Sequence, residues 1–167
     1  MKKLNILKTI VDYLWMISIS CYPLIVLYMI FVILTNKKID IPLKINGQQL
    51  ELTDIWNKLA FLMLIIGFGL LLFALFKFRR LLQLFKYAKI FEFEVSILFK
   101  EIGILIICYS FIDLLAELIL KLSENTIEVN FGFSSFLSFL SLGLFLLVLS
   151  EVFSIGLNMK VQNELTI

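Results

Sequence analysis

FKFRRLLQLFKYAKIFEFEVSILFKE, residues 76–101, is the stretch whose reading decides the fold. It is basic and rich in aromatic residues, and it lies between two long apolar runs. Lys77, Arg79, Arg80, Lys86, Lys89 and Lys100 fall in it, six of the chain's fifteen basic residues. An apolar run of about 20 residues is long enough to cross a bilayer as a helix. A block of lysine and arginine between two such runs stays on the cytoplasmic side and sets the direction of both.

Composition agrees with that reading. The 167 residues are 61% hydrophobic and 17% charged, whereas a soluble domain is roughly 45–50% apolar and about 25% charged. The excess is gathered into runs, and spans are expected at about 11–34, 55–76, 95–120 and 133–153, in one membrane domain covering 1–167. Lys2, Lys3 and Lys8 precede the first run, as in a signal peptide. The run continues past Cys21, however, with no charge between Asp12 and Lys37, so an uncleaved helix is expected. Pro23 removes a backbone donor near its middle and predicts a kink, with Ser18 and Ser20 close by to help satisfy freed groups. Gly67-Phe68-Gly69 lacks the third glycine and the preceding strand of a dinucleotide loop, and is read as a close helix contact. Ser134, Ser138, Ser141 and Gly143 recur at helical spacing and predict another. Cys21 and Cys108, both mid-span, are read as small buried hydrophobes.

The two loops opposite the basic segment carry strand patterns. Residues 39–45 alternate toward Asn46-Gly47, the preferred centre of a type I′ turn, and Gln48-Gln49 follows. Thr53 or Asp54 is then placed to cap the second helix. Residues 126–131 alternate strictly. The expected fold is therefore an all-α integral membrane protein with four transmembrane helices, both termini inside, and a small extracytoplasmic β-hairpin or three-stranded cap. In that orientation ten basic residues lie inside, against Lys37, Lys38, Lys44, Lys58 and Lys121 outside. The expected location is the bacterial cytoplasmic (inner) membrane.

The chain has no histidine, which excludes imidazole bases and ligands. Neither cysteine lies in a CxxC motif, and no phosphate-binding or zinc-protease motif is present. No enzyme activity, cofactor or metal is expected. The sharpest polar signal is Asp113 and Glu117, four apart on one face of the third span, with Ser110 on the same stripe. An acid at the bilayer centre costs about 2.5–3.5 kcal/mol on insertion scales and usually faces a protein interior. Lys58 and Lys121 are within reach of Glu117 by depth, and Tyr109 or Ser110 of Asp113. These residues are read either as a proton- or cation-binding site or as a satisfied polar interior. Lys77, Arg79, Arg80, Lys86 and Lys89 form a candidate cytoplasmic docking or lipid surface, with Phe78, Leu82 and Phe85 at the spacing of an interfacial helix. Arg79-Arg80 is too short a cluster for direct nucleic-acid binding.

Two stretches carry a resemblance. One is Lys89-Ile90-Phe91-Glu92-Phe93-Glu94-Val95, continuing through Leu98 to Ile102-Gly103. The other is Glu151-Val152-Phe153, Gly156 and the closing Asn163-Glu164-Leu165-Thr166-Ile167. Together they resemble a family of small bacterial membrane proteins with four spans, known only as a domain of unknown function. This chain has Ile90 where the family usually has proline, lacks a glycine two positions earlier, and has Gln162 where the family has an acid. The resemblance implies a neighbouring soluble helix-turn-helix regulator of the Cro type as a partner. The leading expectation is a non-enzymatic membrane sensor or regulator coupled to a cytoplasmic partner. The alternative is a small transporter or channel subunit that uses Asp113 and works as a homo-oligomer.

Overall fold

The computed structural model describes residues 2–35, 44–45, 48–49, 55–123 and 135–165. Four helices dominate: α1 (Lys2–Thr35), α2 (Ile55–Lys86), α3 (Phe93–Ser123) and α4 (Ser135–Leu165). In hydrocarbon a backbone must satisfy its own polar groups, and a helix does so within one segment. Each helix has 31 to 34 residues, which at 1.5 Å per residue is about 46–51 Å and overruns a core of roughly 30 Å. All four are long and apolar enough to cross a membrane, and the chain is a multi-pass membrane protein. Leu14, Leu24, Phe73, Phe145 and Val148 are each at least half exposed. In water such faces drive aggregation, whereas lipid solvates them.

The expected β cap is corrected. Between α1 and α2 the described residues hold only β1 (Lys44–Ile45) and β2 (Gln48–Gln49), two residues each, paired Lys44 with Gln49 and Ile45 with Gln48. A two-residue ladder is much shorter than the usual strand of about 5–6 residues, and even a full isolated hairpin is marginal in water. It does not amount to a cap, and the described fold is helical. The Asn46-Gly47 turn, the Thr53/Asp54 helix cap and the third alternating segment, 126–131, lie outside the described residues.

The helices are antiparallel to their chain neighbours and stand in a row. Backbones come within 8 Å for α1 with α2, α2 with α3 and α3 with α4, and for no other helix pair among the described residues. The tightest contact joins α3 to α4. A Cβ built on Gly103 would lie 2.9 Å from the Gly143 carbonyl oxygen, and one on Gly143 would lie 3.0 Å from the Gly103 carbonyl oxygen. Two turns toward the basic end, Ser96 Oγ donates to the Ser150 carbonyl (3.0 Å) and Ser150 Oγ to the Ser96 carbonyl (2.8 Å). The small-residue stripe expected on α4 therefore divides. Gly143 is buried at the interface, but Ser138 and Ser141 are exposed, and Ser141 Oγ bonds within its own helix to Ser138 O.

Gly67 and Gly69 serve two neighbours. Gly67 leaves room for Tyr109 of α3, and Gly69 for Tyr22 of α1. In α1, Pro23 sits inside a continuous helix; Ser20 Oγ donates to Met16 O at 2.9 Å. Cys21 and Cys108 are not buried: both are free thiols on exposed helix faces. A mid-span position on an all-apolar helix does not reveal which way it faces, and these two face outward.

The basic stretch is not a separate interfacial helix. Its first half is the last turns of α2, which runs unbroken to Lys86. The chain then reverses at Ala88, whose φ is 57°. Lys89 N–H bonds Leu84 O (3.0 Å) and Ala88 N–H bonds Phe85 O (3.1 Å). This pair of bonds is a Schellman cap, in which the left-handed residue is usually glycine. Ala88 is the position, two before Ile90, at which the resemblance noted in the sequence implies a glycine. The turn forms without it because its bonds use only backbone groups. Beyond it, Leu81 of α2 and Val95, Leu98, Phe99, Ile102 and Ile106 of α3 form the buried core.

Candidate functional site

At the basic end α2 is flanked by α1 on one side and α3 on the other. Successive helical residues point about 100° apart, so the adjacent arginines reach different neighbours. Arg79 Nε donates to Asp12 Oδ1 of α1 at 2.5 Å, and its guanidinium lies 4.3 Å over the Trp15 ring. Arg80 Nε pairs with Glu94 Oε1 of α3 at 2.5 Å. One turn deeper, Lys77 Nζ pairs with Glu101 Oε2 at 2.9 Å and lies 5.2 Å over the Phe73 ring. Lys89 pairs with Glu92 in the turn at 3.2 Å. Lys86 is exposed.

Thus Lys77, Arg79 and Arg80, expected on a docking or lipid surface, tie three helices together. Lys86 and Lys89 remain at the surface. Asp12 is the residue that sequence reading missed. Its signal was there: it is the only acid in the first apolar run, and antiparallel packing of α1 on α2 brings it level with Arg79. The arginines, Asp12 and Glu94 line an open cleft of about 600 Å³ between α1, the end of α2 and the turn. Lys8 and Lys89 complete its charged rim.

The opposite end holds the other expected site. Asp113 is buried, 9% exposed, and Ser135 Oγ, at the first residue of α4, donates to its Oδ2 at 2.6 Å. A helix start carries unpaired N–H groups and a positive dipole end, which suit a carboxylate. Ser110 is fully buried, and its hydroxyl donates to Ile107 O at 2.8 Å. Glu117 pairs with Lys121 one turn along α3 at 2.8 Å. Lys58 is half-buried near the start of α2. Within the described part of this end, each acid thus has its own hydroxyl or lysine. Among the described residues no three His, Cys, Asp or Glu side chains gather as a metal site.

A third feature is apolar. The backbones of α2 and α4 stay more than 8 Å apart, and a groove of about 440 Å³ opens between them over α3, lined by residues such as Leu71, Phe78, Ile106 and Phe139. Toward the basic end the Phe85 and Phe153 rings meet at 6.0 Å, and Phe153 stacks on Phe99 at 5.0 Å. Past this cluster Gly156 of α4 meets the Phe91 ring of the turn.

The family model described as protein of unknown function (DUF2975) matches residues 3–167, and the chain belongs to that family. No curated protein and no solved structure matches it.

Proposed function

We propose that this member of the family is a non-enzymatic sensor or regulator in the bacterial cytoplasmic membrane, with both termini and the α2–α3 turn in the cytoplasm. The orientation rests on the ten-to-five division of basic residues. One observation carries the functional reading. Residues 154–165 of α4 project past the start of α3, about 18 Å of helix, beside an exposed turn. Ile155, Met159 and Val161 on that projection are exposed, as are Tyr87, Ile90 and Phe91 in the turn. Such a pair of adjoining surfaces suits a soluble partner.

The paired arginines supply a route to it. α1 packs only on α2 among the described helices, so a displacement of α1 acts first on Asp12 and Arg79. The next residue, Arg80, holds the start of α3 through Glu94, and the turn lies between them. The partner that fits is a soluble helix-turn-helix regulator, as the family likeness implies. Affinity purification of the full chain from membranes of cells expressing that regulator tests the reading. Co-purification is expected, and it is expected to fall at least severalfold in a Met159→Asp variant that still inserts. No regulator recovered with the unaltered chain contradicts it.

A further inference from the structure

We propose that the cleft between α1, α2 and the α2–α3 turn binds the phosphodiester headgroup of an anionic membrane lipid. Four cations from three parts of the chain face it: Lys8 of α1, Arg79 and Arg80 of α2, and Lys89 of the turn. Two acids in the lining, Asp12 and Glu94, pair with the arginines, and Glu92 at its edge pairs with Lys89, which leaves the charge of Lys8 in excess around about 600 Å³. Lys8 makes no ion pair among the described residues. The two carboxylates approach the arginines at Nε. An acceptor at Nε occupies that edge of a guanidinium and leaves the edge formed by the two terminal nitrogens for a second acceptor. A phosphate between the arginines and the lysines completes both forks without breaking either helix tie.

The position of the cleft selects lipid over a free anion. It lies where the apolar part of α2 ends, and one wall is Phe76, which is 44% exposed. Phe76 stacks on Phe73 at 6.4 Å, and Phe73 is 50% exposed. These rings form an apolar track from the charged cleft toward the span, suited to acyl chains. Trp15 and Tyr87 flank the same level, as aromatic side chains do at a membrane–water interface. Basic pockets between helix ends are suited to anionic headgroups on these electrostatic grounds. Binding would join Lys8 to the arginines and so fasten α1 to α2. The proposal does not depend on the sensor reading or on which leaflet faces the cytoplasm.

Native mass spectrometry of the detergent-purified full chain tests it, with phosphatidylglycerol, phosphatidylcholine or inorganic phosphate added. Retained adducts with phosphatidylglycerol, at least fivefold above phosphatidylcholine, are expected. The Lys8→Gln/Lys89→Gln variant should weaken them about tenfold or more, the scale of one to two basic residues at an anionic surface. Both Arg79 and Arg80 ties remain in that variant, and a Lys8→Arg/Lys89→Arg variant should restore binding. Lys100→Gln, which removes an exposed cation outside the cleft, should leave it unchanged. Equal retention of the two lipids, or equal losses in the cleft and Lys100 variants, overturns the proposal. Displacement of the lipid by millimolar inorganic phosphate overturns the lipid assignment in favour of a free anion.

Discussion

Ala88 occupies a backbone conformation that costs an L-residue with a β-carbon roughly 1–2 kcal/mol. Glycine avoids that cost but loses more freedom on folding. Ala88→Gly is therefore expected to stabilise the protein by about 0.5–1 kcal/mol, seen as a higher thermal unfolding midpoint in detergent; a lower midpoint would mean that the left-handed turn is not retained. The sequence alone did not show that an alanine at position 88 would take the left-handed conformation of the turn. Two other residues were only partly legible. Asp113 stood out as an acid in an apolar span, yet its partner Ser135 lies 22 positions away on the next helix, so no spacing rule connects them. Asp12 looked like the flank of a span, because its role exists only once α1 lies against Arg79.

At the scale of elements, helix existence was legible and helix facing was not. Long apolar runs announce membrane helices by length alone. On a helix that is apolar all round, composition gives no inner face. That is why Ser138 and Ser141, expected at an interface, and Cys21 and Cys108, expected to be buried, lie exposed. The α3–α4 contact now makes a sharper claim. Gly103→Val places a side chain against the Gly143 carbonyl and Leu147, and forced overpacking costs about 1–3 kcal/mol. Ser138→Leu, on the exposed face, should change stability by less than about 0.5 kcal/mol. Unfolding in detergent distinguishes them: a large loss for Gly103→Val beside a near-neutral Ser138→Leu is expected. The reverse order would mean that α4 packs on α3 through its serine stripe.

At the scale of the molecule, four helices in an open row leave α1 attached along one side only. At the basic end Arg79 and Arg80 join α1, α2 and α3, and an apolar groove opens between α2 and α4 along the span. On the orientation proposed above, the α2–α3 turn and the projecting end of α4 lie together on the cytoplasmic side, within reach of one partner. Cysteine labelling measures this directly. Tyr87→Cys and Met159→Cys, at residues about 60% exposed, are placed singly in a chain with Cys21 and Cys108 replaced by alanine, with Asn46→Cys as the opposite-side probe. A membrane-impermeant maleimide is applied to intact, outer-membrane-permeable cells and to inverted vesicles. The account predicts that Tyr87→Cys and Met159→Cys label only in inverted vesicles and Asn46→Cys only in intact cells. Labelling of either Tyr87→Cys or Met159→Cys in intact cells would contradict it.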